Sequence, residues 1–571
     1  MSGRDPIVRN FRQILLWPFQ VVASRDGESV MQQWDALERA GAHAWKEVDD
    51  EFTGDPRLFQ ERHYHEFVSF LPYVQRFLYG DELGERRAAG YGESPMRVFR
   101  RGDVARMRVQ FTDDTAPIEL DVAHVDLYLF TDLDIAILVV EIFAADLTLA
   151  QAQEALFRIG RAYPSFWAKN GHAGNCPRKV EWLAASGQVL ATSDYDLREE
   201  YLAYVCEHRA PRLASHWEYL VQPISARPVA AAGALRLRQL EYYRMPVMAF
   251  LAVDDPDALT RAQFVRLAFA TEPGSADELP YSARHLRRFE RDYCYDREWR
   301  PDSPSGAGES IRFLCCGHAF VTIGPARRQY FIDAETGVLG QFRHELFLIG
   351  LIAHFHKSAL LMLSERLIVA ISRLDFTDKH SVRSFRRSIR ASLETFLRFT
   401  HRYWFHEVSD QARVRELFRM WTGHLGTDRL FAEVREEIQD MNHYLEAGSA
   451  RRQTNTMMRL TVVTTFGLIG TVATGFLGMN LIAAADEPLA AKIAYFLIVL
   501  IPTIALTLLT VARSERLAEF LDVLSDERES PDAKLTAFRG IWRSRGARGP
   551  VPWPSPARLP ALTARPRIAD R

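Results

Sequence analysis

At 571 residues the chain has room for several domains, and 71 Lys and Arg against 73 Asp and Glu leave a net charge of −2, which gives no reason to expect nucleic acid as a partner. Five cysteines, odd in number and with Cys176, Cys206 and Cys294 scattered, do not make a disulfide framework and read as free thiols of a cytoplasmic region. No secretory signal is expected, because the apolar run Ile14–Val22 is interrupted by Pro18 and lacks a small-residue cleavage site.

In chain order, residues 1–95 read as an N-terminal helical region, where HEFVSFLPYVQRFLYG spaces aromatic and charged residues helically without carrying a motif. The pattern changes at Met96. RVFRRGDVARMRVQF, IELDVAHVDLYLF and DIAILVVEIF are rich in β-branched and aromatic residues, and the polar Thr131–Asp134 between the last two predicts antiparallel strands joined by a tight connection. Thr148 and Gln151 have capping-box spacing, so a helix with Ala152, Leu156 and Ile159 on one face follows. Together with a strand at Pro246–Asp254 and a hairpin over Ile311–Ile332, residues 96–340 read as a cytoplasmic α+β domain with a largely antiparallel sheet. ISARPVAAAGA and RPDSPSGAGES read as exposed insertions in it. Cys315-Cys316-Gly317-His318 lies in what reads as a strand, so Cys316 and His318 share a face. Two ligands alone do not make a metal site, and both are taken as buried strand residues.

Residues 341–456 read as a cytoplasmic helical bundle and stalk. FLIGLIAHFHKSALLMLSERLIVAISRLD is apolar enough to pass for a membrane span, but His354, His356, Lys357, Glu365 and Arg366 interrupt it and make it a buried helix of a soluble region. His354 and His356, two apart, point in different directions and read as core residues. Two further helical stretches feed the stalk, on which Glu433, Glu436, Glu437 and Asp440 lie one to two turns apart. By itself this is a solvated face with i,i+4 pairs.

Two membrane spans follow, at 457–482 and 489–512, since about 20 apolar residues suffice to cross a ~30 Å hydrocarbon core. Arg451, Arg452 and Arg459 precede the charge-free run Leu460–Ile482 and Arg513 and Arg516 follow the second span, while the loop at 483–488 holds only Asp486 and Glu487; both termini are therefore expected in the cytoplasm. Met457, Leu460, Thr464, Leu468, Thr471, Gly475 and Gly478 form one narrow, mildly polar stripe, which suits either a pore lining or a helix-packing face of small residues. The tail, 513–571, is expected to be cytoplasmic and, from about residue 544, disordered, where Pro and Arg suit contact with anionic lipid. No phosphate-cradling loop, zinc-protease helix or nucleophile elbow is present, so the chain is not read as an enzyme.

Gly478-Met479-Asn480, placed after one apolar helix and before a short loop and a final one, resembles the signature of the CorA family of divalent-cation channels, which includes the ZntB zinc transporters. Thr454-Asn455 and Met457-Met458 are similar to that family's lead-in from stalk to membrane, and the resemblance covers Arg402–Arg516. It differs at Leu477, where the family often has an aromatic residue, and in the loop, where Asp486-Glu487-Pro488 replaces Met-Pro-Glu.

What the resemblance implies is a funnel-shaped homopentamer in a bacterial inner membrane, multi-pass, with the first span lining a pore and the second facing lipid. Gly478, Met479 and Asn480 would form the external selectivity ring, whose carboxamides suit hydrated Mg2+, an ion that keeps its waters. Thr471 and Gly475 would line the outer pore, with Leu468, Leu460 and Met457 as constrictions that gate by dewetting. Asp486 and Glu487 would concentrate cations at the mouth. Glu433, Glu436, Glu437 and Asp440 would hold regulatory Mg2+ between subunits. The expected activity is magnesium transport by an ion channel without a cofactor. The alternatives are a ZntB-like zinc carrier, possibly proton-coupled, and a non-conducting membrane-anchored sensor or scaffold.

Overall fold

The structure, a computed structural model, describes residues 6–23, 44–48, 61–80, 96–130, 133–225, 235–241, 243–274, 279–299, 310–375, 378–478 and 488–512. The chain divides into two compact units, Met1–His443 and Tyr444–Arg571. The strands are β1 (Ile7–Ala23), β2 (Trp45–Glu47), β3 (Met96–Arg101), β4 (Arg106–Gln110), β5 (Ile118–Phe130), β6 (Ile135–Thr148), β7 (Lys179–Leu183), β8 (Val189–Thr192), β9 (Leu235–Gln239), β10 (Val247–Val253), β11 (Cys294–Tyr295), β12 (Arg312–Cys315) and β13 (Ala319–Pro325).

The first unit is a mixed α/β structure built on one sheet, ordered β11-β12-β13-β10-β1-β6-β5-β4-β7-β8, with β9 added to β1 and the β2–β3 pair added to β5. Its named strands pair antiparallel except β10 and β13, which run parallel. The helical region expected over residues 1–95 is corrected here: β1 is a 17-residue strand in the middle of the sheet, paired to β6 from Ile7↔Thr148 to Gln20↔Ile135, and helices occupy only Glu61–Ser69 and Pro72–Tyr79 among the described residues of that stretch. Both faces of β1 are covered. Phe11, Leu15, Trp17 and Phe19 point one way and Ile14 and Leu16 the other, so the run reads as continuously apolar and hides its period of two.

Pro18 is tolerated in this central strand for a local reason. The Leu16 N–H donates to the Pro246 carbonyl at 2.9 Å, so even-numbered N–H groups of β1 face β10. The β10 ladder ends at Leu15↔Val247 and the β9 ladder begins at Phe19↔Gln239, so Pro18 falls in the gap and no ladder bond is lost.

Helices cover both sheet faces. Leu149–Arg158, opened by the Thr148–Gln151 capping box, packs on β1 and β6, as does Glu345–Ser372. Phe130 stacks on Phe355 at 4.2 Å and Phe320 on Trp421 at 4.7 Å. The strand β1 and the helix Glu345–Ser372 therefore belong to one core, and the divisions drawn at 95/96 and 340/341 are not boundaries between compact units. The Val338–Ser372 stretch is long and apolar enough to cross a membrane, yet 89% of its apolar window is buried. Gly350 is needed there, because a Cβ would meet the Trp421 indole at 2.5 Å.

Thr427–Gly478 is one uninterrupted helix of 52 residues. In the second unit it is followed by Leu489–Ala512, a 24-residue helix containing Pro502. The tail from 513 onward lies outside the described residues.

Candidate functional site

The C-terminal helices place the candidate stripe as follows. Met457 and Leu468 are 60% and 62% exposed, and Thr464, Thr471, Gly475 and Gly478 are exposed too. Leu460 lies on the same helix. Ile469, on another face, is buried. Thr471 donates its hydroxyl to the Gly467 carbonyl at 2.9 Å and Thr503 donates to the Val499 carbonyl at 2.7 Å, so these hydroxyls are satisfied inside their own helices. Where a Cβ would sit on Gly467, Gly470, Gly475 or Gly478 there is open space. Met479, Asn480, Asp486 and Glu487 lie outside the described residues.

Glu433, Glu436, Glu437 and Asp440 are exposed on a helix whose Val434 and Ile438 are buried. Glu433 is paired with Arg429 at 2.9 Å. Burial, then the neighbouring Glu433 charge, lifts the Glu437 carboxyl above its ordinary value. Among the described residues no group of three or more acidic, His or Cys side chains of one chain is arranged to hold a metal.

The strand expected across Cys315–His318 is corrected to a hairpin turn: β12 stops at Cys315, β13 starts at Ala319, and Gly317 turns the chain with φ +89°. That turn, rather than strand periodicity, brings the Cys316 sulfur within 3.5 Å of His318 Nδ1. The Arg244 guanidinium stands 3.1 Å from His318 Nε2. Burial and then Arg244 pull the imidazole down to about 3, and burial pushes the Cys316 thiol up to about 11. A cation there would face a fixed positive charge and a thiol held protonated. His354 and His356 diverge: the first faces Glu241 at 3.9 Å, the second donates to the Tyr403 carbonyl at 2.6 Å. Burial lowers both.

A buried ionic network that joins β1, β5 and β6 was not anticipated from sequence. Sheet register sets Arg100 opposite Asp126 and His124 opposite Glu141. Glu141, only 2% accessible, is held by Arg12 from β1, by His124 Nε2 at 2.8 Å and by Arg343 at 2.9 Å. Asp126 takes both arms of Arg100 at 2.8 Å and lies 3.1 Å from His124 Nδ1. Burial opposes the His124 charge, but the two carboxylates overcome it and raise the imidazolium to about 9. Burial likewise opposes ionisation of Glu141 and Asp126, and His124 and the arginines hold both below the ordinary carboxylate range. Every carboxylate is committed to a cation, so the network pins β1, β5 and β6 to the segment before the core helix. The sequence signal was present: Asp126 and Glu141 sit within the apolar runs Val125–Phe130 and Ile135–Phe143, where a charge requires a partner.

No family model, no curated protein and no solved structure matches this chain.

Proposed function

We propose that the chain is a CorA-like membrane channel that conducts hydrated divalent cations, magnesium first, through a homopentameric pore in a bacterial inner membrane. One observation carries this reading: among the described side chains, the two consecutive C-terminal helices leave large apolar ones uncovered, with Leu489 at 74%, Ile498 at 66%, Leu468 at 62% and Ile501 at 60% exposure. Contiguous apolar surface on this scale calls for lipid or for other copies of the chain. At ~1.5 Å per residue, Met457–Gly478 spans about 33 Å and Leu489–Ala512 about 36 Å, enough for a ~30 Å hydrocarbon core. The open space beside the four glycines suits close approach of neighbouring helices. Asn480, next in sequence after Gly478 and Met479, then supplies the carboxamide ring at the mouth.

The deciding experiment is ion uptake by proteoliposomes containing the full chain, comparing Mg2+, Co2+, Ni2+ and Zn2+ at fixed potential. Magnesium flux lost in Asn480→Ala is the expected outcome. Zinc flux driven by a pH gradient would replace the channel by a ZntB-like carrier, and no flux from a folded, assembled protein would leave a non-conducting scaffold.

A further inference from the structure

The Lys379–Arg402 helix packs on Glu345–Ser372 and buries Phe385, Ile389, Phe396 and Phe399. Its outer face carries Arg383, Arg387, Arg390 and Arg398, all exposed, with Glu394 as its one carboxylate. Exposed arginines elsewhere in this unit divide: Arg9 pairs with Asp146 and Asp254, Arg261 with Glu290 and Arg419 with Glu407, while single ones such as Arg76, Arg198 and Arg284 make no ion pair among the described residues. Among the described residues the four on this face make no ion pair. The complementary surface is Glu433–Asp440. Glu436, Glu437 and Asp440 also make no ion pair among the described residues, and buried Val434 and Ile438 fix which side of that helix points outward.

The spacings match. Arg383, Arg387 and Arg390 advance by four and three residues; Glu433, Glu436 or Glu437, and Asp440 advance over the same seven residues, about 10.5 Å of helix in each case. One face can therefore lie along the other with three opposite charges in line. Within one chain the two faces do not meet in ion pairs, so each is left to a partner that carries its complement.

We propose that the arginine face Arg383–Arg398 docks against the acidic stretch Glu433–Asp440 of a second copy of this chain. Two different patches in contact make a head-to-tail interface, and repetition of such an interface closes a ring when the rotation allows. Closure of the ring rests on the pentameric reading above; the contact itself does not. Both surfaces are exposed at their edges, so assembly weakens as salt shortens the Debye length to a few Å.

The test measures the mass of the full-length protein in detergent by light scattering. Reversing Arg383→Glu, Arg387→Glu and Arg390→Glu together is expected to shift the assembly towards single chains, with the dissociation constant rising at least tenfold. Glu433→Arg, Glu436→Arg, Glu437→Arg and Asp440→Arg should do the same, and the two sets combined should restore assembly. In a Cys206→Ser background, mixing Arg387→Cys chains with Glu436→Cys chains should give disulfide-linked dimers on mild oxidation. Unchanged assembly in both reversed variants overturns the proposal, as does loss of assembly on magnesium chelation alone, or a face that instead controls binding to phosphatidylglycerol vesicles. Absent flux from an intact assembly counts against the channel and leaves this contact standing.

Discussion

Two apolar helices of similar length have opposite fates in this molecule. Glu345–Ser372 is buried along most of its length, with Leu346, Ile349, Leu351 and Ile352 almost fully covered, while Leu489–Ala512 exposes Ile493, Ile498, Ile501 and Leu508. Length and overall apolar character would let either pass for a membrane span, although Lys357, Glu365 and Arg366 interrupt the first. What differs is the cover: the first has a sheet on one side and aromatic rings from neighbouring helices on others, and the second has no such cover from the described residues of its own chain. An apolar helix is thus a demand for a partner, and the fold decides whether protein or lipid meets it.

The sharpest way to break this comparison is to place the same charge in both helices. Leu351→Asp buries an unpaired carboxylate at several kcal/mol, a large share of the 5–15 kcal/mol that typically holds a domain together, so no protease-resistant core is expected. Ile498→Asp should leave that core intact and instead reduce membrane insertion, by roughly 2.5–3.5 kcal/mol if it sits near the span centre. A core that unfolds equally with both would erase the distinction.

Glu141→Ala comes next. It leaves Arg12, Arg343 and His124 without their shared carboxylate, at a cost of about 3–5 kcal/mol in denaturant unfolding of the first unit, with no change expected in the helices beyond Met457.

The same network sets a pH dependence. His124 rises from its ordinary 6.5 to about 9, so its contribution is fully present below about 6.5 and is lost as pH rises through 9; the shift is worth roughly 3 kcal/mol at most. Glu141 and Asp126 are lowered, so their contribution is present above their unfolded values and fades as pH falls through their folded ones. Unfolding midpoints should plateau in mildly acidic solution, and His124→Asn should remove the alkaline limb. The smallest effect belongs to Thr148→Ala, which removes the cap of Leu149–Arg158 and should cost ~1 kcal/mol, read as a small shift in melting temperature.

Local signals were legible where the cause is local. The capping box at Thr148 and Gln151, the strands of Met96–Thr148, and the two C-terminal helices follow from neighbouring residues whose spacing needs no distant partner. The long strand β1 was not legible, because burial on both faces removes the alternation that identifies a strand and leaves Pro18 looking like a breaker. The Cys316–His318 approach was anticipated as a pair but assigned to strand pleating, whereas a turn at Gly317 produces it. The Glu141 network draws on Arg12, His124 and Arg343, up to 202 residues apart in one hydrogen bond, and no periodicity encodes that distance.

By itself the amino-acid sequence determined that the chain carries two charge-poor apolar runs bounded by arginines, an acidic stretch at helical spacing and the tripeptide Gly-Met-Asn at the end of the first run, because each is a property of adjacent residues. Tertiary structure alone decided what covers Val338–Ser372, whose interrupting His, Lys, Glu and Arg residues already marked it as a buried helix, that residues 7–23 sit in the middle of a sheet, and that the Arg383–Arg398 and Glu433–Asp440 faces make no ion pair with each other among the described residues. Burial and pairing depend on what the rest of the fold brings alongside, and that is fixed by long-range register and packing rather than by local pattern.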